Sequence, residues 1–318
     1  LFFNWPDHSY IENCDMNCAI CWNHFLSIPT TRFVSGFLTP VSNKVGMEMQ
    51  PAGNQRRFYT IRKNSLVGTP ETTRVATLSP SFCEWLAGVI DGDGFLYVNK
   101  ENYVGLEITM DRYDEPCLTT IKTKFGGSIK LRSGSNSYRY RTQSHIVMLN
   151  LTNAINGHIR NSVRIPQLKA VCNQLHIHFK DPIPLTRNSS WFAGFFDADG
   201  TITYSMKLNG KRMMPQLSIR VVNKAKKDVQ FFQDAFGGSL FYDKGQNGYW
   251  HWSVQSRDDI LSMVDYFKIH QPRSHKFKRI LLVHDYFILR DLEAYEVNNP
   301  QYNAWRNFER KWAYGEKE

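Results

Sequence analysis

The sequence predicts an α+β fold made twice over: two pseudo-symmetric repeats, each running helix, hairpin, helix, hairpin, helix (αββαββα). Three observations carry this. First, Trp85-Leu-Ala-Gly-Val-Ile-Asp-Gly-Asp-Gly94 and Trp191-Phe-Ala-Gly-Phe-Phe-Asp-Ala-Asp-Gly200 are near copies, their last aspartates 106 positions apart (199 − 93). Second, Phe125-Gly-Gly-Ser128 recurs as Phe236-Gly-Gly-Ser239, at an offset of 111 (236 − 125). Third, Thr201, Thr203, Ser205 and Lys207 alternate with Ile202, Tyr204 and Met206, the period of a half-buried strand. A fixed-period echo marks a duplicated unit.

The first repeat reads as a helix over 81–92, a hairpin over 94–111, a helix over 114–125, a hairpin over 127–143 and a span 145–178 holding two helices. The second reads as 188–198, 200–223, 224–236, 238–254 and 256–291. The change of offset from 106 to 111 inserts five residues, which fit a longer hairpin turn around Lys207-Leu-Asn-Gly-Lys-Arg212. Each sheet is expected to keep one apolar face under helices and one polar face in water. Gly88 and Gly92 share one helix face, as do Ser190, Gly194 and Ala198. Small residues at this spacing let two backbones approach, so the motif helices are expected to pack on each other about a pseudo-twofold axis. Gly94 and Gly200 are expected to stop those helices in the left-handed conformation.

A length of 318 residues accommodates an irregular leader over 1–79, a first domain over 80–183, a second over 184–292 and a tail over 293–318. The first residue is not Met, and the leader lacks the basic, apolar and small-residue zones of a signal peptide. This predicts either a fragment or a reading frame continuous with upstream coding sequence. No stretch approaches the roughly 18 apolar residues of a membrane span. Cys14, Cys18 and Cys21, followed by His24, have spacing that could hold zinc or an iron–sulfur cluster, but nothing downstream supports such a role. Cys83, Cys117 and Cys172 read as small core residues, with no disulfide framework. The net charge of +10 and pI near 9.3 point to an anionic partner. Lys130, Arg132, Arg139 and Arg141 sit at strand period opposite Ile129, Leu131, Tyr138 and Tyr140, a cationic sheet face suited to nucleic acid.

The duplicated helix carries the chemistry. Asp93 and Asp199 are delivered to the same end of the helix pair, where the helix C-termini add negative charge. The arrangement needs a cation, and hard oxygen ligands with open positions suit Mg²⁺ and metal-aided phosphodiester hydrolysis. Asp91 and Asp197, two residues earlier and about 200° around the helix, are expected to support the helix end and strand start locally. A calcium loop starting at either acid fails, because its fifth, sixth and twelfth positions are Phe95, Leu96 and Asn102, or Thr201, Ile202 and Leu208.

Leu86-Ala-Gly-Val-Ile-Asp-Gly-Asp-Gly94 and Phe192-Ala-Gly-Phe-Phe-Asp-Ala-Asp-Gly200 resemble the nonapeptide of the LAGLIDADG homing endonucleases, and the likeness covers about 80–290. The resemblance implies a monomer whose motif helices form the domain interface and whose two sheets form a saddle on double-stranded DNA. It implies cleavage of both strands of a long target across the minor groove. It also implies an organellar intron as the coding location, in the mitochondrion or alternatively a plastid. The alternative function is that of a maturase binding group I intron RNA. By the same likeness Asp93 and Asp199 are ligands of Mg²⁺ or Mn²⁺, near the carbonyls of Gly92 and Ala198. Asn223-Lys224 fits an auxiliary polar position at the end of a first hairpin; the first half departs there, with Met110-Asp111. That departure predicts unequal cutting of the two strands. Arg164 in the first half, and His275 or Lys276 in the second, fit a basic residue before a last helix. The DNA face is expected to include Tyr97, Asn99, Thr203, Ser205, Gln216 and Arg220. Lys130, Arg132, Arg139, Arg141, Lys207 and Lys211 are expected to meet phosphates or guanine edges.

Overall fold

The computed structural model describes residues 78–245 and 248–313. The cysteines at 14, 18 and 21 and the leader up to residue 77 lie outside the described residues.

The first repeat comprises α1 (Pro80–Asp93), β1 (Gly94–Val98), β2 (Val104–Asp111), a 3₁₀ turn (Arg112–Asp114), α2 (Glu115–Phe125), β3 (Ser128–Leu131), β4 (Ser137–Thr142), α3 (His145–Ile155) and α4 (Arg164–Gln174). The second comprises α5 (Trp191–Ala198), β5 (Thr201–Asn209), β6 (Arg212–Asn223), α6 (Lys227–Phe236), β7 (Ser239–Asp243), β8 (Tyr249–Val254), α7 (Arg257–Ile269), α8 (Phe277–Leu281) and α9 (Val283–Asp291). Each sheet is antiparallel, in the order β1-β2-β4-β3 or β5-β6-β8-β7. The α+β class and the duplication are both present.

Local chemistry explains the boundaries. Ser79 caps α1, its Oγ accepting from the Phe82 N–H at 3.2 Å, with Pro80 in the first turn. The recurring Phe-Gly-Gly-Ser is a helix-to-strand corner. Gly126 and Gly127 have φ of +82° and +94°, and Gly237 and Gly238 have +74° and +79°. Each corner is tied to its sheet: the Tyr140 hydroxyl donates to the Gly126 carbonyl at 2.9 Å, and the Trp252 indole to that of Gly237 at 2.7 Å.

Three expectations need correction. Neither Gly94 nor Gly200 is left-handed; Gly94 is extended, with φ −84° and ψ 154°, because it is already the first residue of β1, paired with Ile108. Glycine is required there for space, since a Cβ would stand 2.7 Å from the Ile90 Cα. Next, the five extra residues do not enlarge the turn. They lengthen the strands, 9 and 12 residues in β5 and β6 against 5 and 8 in β1 and β2, while the turn shrinks to Gly210-Lys211. Finally, the tail contains a helix, α10 (Tyr302–Ala313), which buries Trp305, Phe308 and Trp312 against Tyr204 of β5. The 305–308–312 spacing is an amphipathic-helix signal that could have been read. Among the described residues no helix is long and apolar enough to cross a membrane.

Candidate active site

α1 and α5 touch backbone to backbone. A methyl group on Gly88 would overlap the Trp191 carbonyl, one on Gly194 the Trp85 carbonyl, and one on Gly92 the Ala198 side chain. The small-residue seam is therefore real, and it draws the two helix ends together. The Asp199 Oδ2 lies only 3.3 Å from where a Gly92 Cβ would stand, so the second acid rests against the end of the first helix.

Two cations close those ends. Arg164 donates from Nη2 to the Gly92 carbonyl at 3.1 Å and from Nε to that of Ile90 at 3.3 Å. Lys276 Nζ donates to the carbonyls of Phe196 (3.1 Å), Asp197 (3.1 Å) and Ala198 (2.8 Å). Of the two second-half candidates, Lys276 thus matches Arg164. His275 instead gives its backbone N–H to Asp114 at 2.8 Å, and its Nδ1 lies 2.9 Å from the same carboxylate.

The electrostatics follow from this crowding. Asp93 is pushed up to about 7, first by loss of water, then by the charge of Asp199, against the pull of Lys276 and Arg164. Asp199 is likewise raised by desolvation, opposed by Lys276 and Arg164. Burial lowers Lys276, opposed by the surrounding carboxylates, with Asp114 contributing most. An acid raised in the folded state binds more protons folded than unfolded between its two pKa values, so folding is favoured at the acid end of that window. Asp91, pushed up to about 7 by burial, adds in the same direction. Without divalent ions, the midpoint of thermal unfolding should therefore fall as pH rises from 4 toward 7, and fall less in Asp93→Asn. A midpoint that climbs over this range would contradict the assignment.

Asp91 and Asp197 correct the expectation of local support: they reach across the seam. The Trp191 indole N–H donates to Asp91 at 2.9 Å, and that of Trp85 to Asp197 at 2.8 Å. Asp91 also accepts from the backbone N–H of Arg160 (2.8 Å) and Asn161 (3.1 Å), and Asp197 from those of Arg273 (2.8 Å) and Ser274 (2.9 Å). A second crossing pair involves Asp228, which takes the backbone N–H of Ser162 at 2.8 Å, while Asp114 takes His275. The recurrence of Trp85 and Trp191 at the motif offset was the available signal.

Comparisons with known proteins agree with this geometry. Residues 192–287 match the family model described as LAGLIDADG endonuclease. The chain is 41% identical over 286 residues to the intron-encoded RNA maturase bI4 of Saccharomyces cerevisiae, covering 89% of this chain but only 42% of that protein. It is 32% identical over 245 residues to the intron-encoded DNA endonuclease ai2a of Dictyostelium discoideum, covering 74% of this chain and 75% of that one. The chain belongs to the LAGLIDADG endonuclease family. The fold agrees: the structure of I-SmaMI bound to its uncleaved DNA target with calcium ions superposes with a TM-score of 0.55 at 18% identity, over 74% of this chain and 98% of that one.

Within this LAGLIDADG fold, sheet register puts Met110 and Asn223 at equivalent positions. Phe95 pairs with Glu107, and its counterpart Thr201 pairs with Arg220. Three residues further along each second strand stand Met110 and Asn223. Met110 is buried, whereas Asn223 is half-buried and its Oδ1 accepts from the Ala225 N–H at 3.2 Å. The departure at Met110-Asp111 is thus structural as well as sequential.

The polar sheet faces carry the remaining candidates. On the second sheet, Thr203 pairs with Ser218, Ser205 with Gln216 and Lys207 with Met214. Gln216 donates to Gln255 at 2.9 Å, and Arg220 to Ser218 at 3.0 Å. Lys130, Arg132, Lys207 and Lys211 are exposed. Asn99 leaves the strand face; its Oδ1 holds the Tyr103 N–H at 2.7 Å inside the hairpin turn. Glu107 is a residue that sequence reading missed. It bridges Arg139 and Arg141, both at 3.1 Å, while the Tyr97 hydroxyl accepts from Arg141 at 3.2 Å and Gln143 at 3.0 Å.

Proposed function

We propose that this chain is a site-specific double-strand DNA endonuclease of the intron-homing type, acting as a monomer on a long duplex target with Mg²⁺ or Mn²⁺. The observation that carries the reading is the convergence of Asp93 and Asp199 at one end of a backbone-contact helix pair, with Arg164 and Lys276 on the adjoining carbonyls. The donor set fits a hard divalent ion. It offers two carboxylates with raised pKa values and no sulfur, and among the described residues no cluster of three or more His, Cys, Asp or Glu exists to saturate a metal. Asp93 and Asp199 would hold the ion. The Gly92 and Ala198 carbonyls each already accept one hydrogen bond and keep a second lone pair for it. A bound ion would supply Lewis acidity and a more acidic water. The chain's own part is to bring the acids together, to exclude water from their flanks and to place two cations where phosphate charge develops. The polar sheet faces supply the duplex groove, with the arginine pair around Glu107 on one sheet and Gln216 and Arg220 on the other.

The likeness to the yeast maturase supports a second activity on group I intron RNA, and the intron-encoded relatives support a mitochondrial gene location. One experiment separates the readings. The protein is incubated in Mg²⁺ with DNA spanning the intronless exon junction of its host gene, and in parallel with the unspliced intron RNA. Cleavage of both DNA strands is expected. Accelerated splicing with intact DNA would leave the maturase reading alone.

A further inference from the structure

The loops that deliver the two cations are anchored in the same way. Residues 160–164 place their backbone N–H groups on Asp91 through Arg160 and Asn161, then on Asp228 of the other repeat through Ser162, and finally return Arg164 to the end of α1. Residues 273–276 repeat the path. Arg273 and Ser274 sit on Asp197, His275 on Asp114 of the other repeat, and Lys276 on the end of α5. Each anchoring aspartate also holds the tryptophan that belongs to the opposite motif helix. The guanidinium of the anchored arginine then lies over that same ring, Arg160 at 4.7 Å from Trp191 and Arg273 at 4.2 Å from Trp85. Asp91, Asp197 and both tryptophans are almost wholly buried.

We infer that Asp91 and Asp197 are positioning residues. Each ties the pairing of the motif helices to the placement of one cation beside the acids, with the partner tryptophan supplied in crossed fashion. Trp191, in the second repeat, thereby sets Arg164 in the first, and Trp85 sets Lys276. This rests on the reading of the site as a phosphodiester-cleaving centre. An alignment error of about 1 Å at such a centre lowers rate by up to roughly 100-fold without a comparable loss of binding.

The test is a double-mutant cycle on single-turnover cleavage at saturating protein, well below each variant's measured unfolding midpoint. Trp191→Phe and Asp91→Asn should each slow cleavage about 10- to 100-fold while DNA affinity stays within about threefold. Trp191→Phe should add little to Arg164→Gln but its full factor to Lys276→Gln; Trp85→Phe should show the reverse. If Trp191→Phe does not fold, Asp91→Asn carries the same cycle. A purely structural role predicts lower unfolding midpoints with unchanged saturated rates. That result, or equal multiplication on both backgrounds, overturns the inference. A wild-type protein that cuts no DNA overturns both the inference and the function on which it rests.

Discussion

Gly194→Ala should destabilise the protein by about 3 kcal/mol or more, read as a fall in the urea or thermal unfolding midpoint. The added methyl would overlap the Trp85 carbonyl, with the Trp85 carbonyl carbon at 2.7 Å. Both obstacles are backbone of the partner helix, so no rotamer change can relieve them. The only response is to separate α1 from α5, which also breaks the crossed Trp85–Asp197 and Trp191–Asp91 bonds. Gly245→Ala is the matched control: among the described residues its Cβ would meet the flexible Asp243 side chain alone, at 3.1 Å, so the change should stay within about 0.5 kcal/mol. Equal stability of the two variants would mean that the helix seam is not where the structure places it.

The second large effect is on chemistry. Asp93→Asn and Asp199→Asn should each lower the cleavage rate at least about 10³-fold, equivalent to roughly 4 kcal/mol of barrier, with DNA affinity largely kept. Asparagine preserves shape but not the charge that holds a divalent ion. It also relieves the repulsion that, with lost water, pushes Asp93 up to about 7, so both variants should be at least as stable as the parent without metal. Loss of activity with gain of stability separates a functional acid from a structural one. Asp91 and Asp197 should behave oppositely in stability, because an amide in place of either carboxylate loses one of the two acceptor oxygens that hold buried N–H donors.

Much of this was legible because the physics was local or periodic. Gly88, Gly92, Gly194 and Ala198 declared a close helix approach by spacing alone, and Asp93 and Asp199 followed from where those helices end. The strand alternation of β5 predicted which side chains share a face, and the pairing Ser205–Gln216 realises it. The elements that stayed hidden depend on contacts between distant segments. Asp91 and Asp197 looked local because sequence gives their angle on the helix but not the tryptophan that arrives from the other repeat. Lys276 and His275 could not be ranked, since a shift of one residue decides which side chain meets the helix end. Glu107 stood outside the cationic pattern, although register places it opposite Arg141 and ion pairs join it to both Arg141 and Arg139. Gly94 misled because a glycine after a helix signals a left-handed cap unless the next strand begins at once.

The central claim is that one metal-dependent centre is assembled from two motif helices, one acid from each. Its most direct test is cleavage of the end-labelled intronless junction by the wild-type protein and by Asp93→Asn/Asp199→Asn, with and without Mg²⁺, both proteins folded and both shifting the DNA in a gel. The wild type is expected to cut both strands only with the metal, and the double variant to bind but cut neither. A double variant that still breaks either strand would contradict the claim.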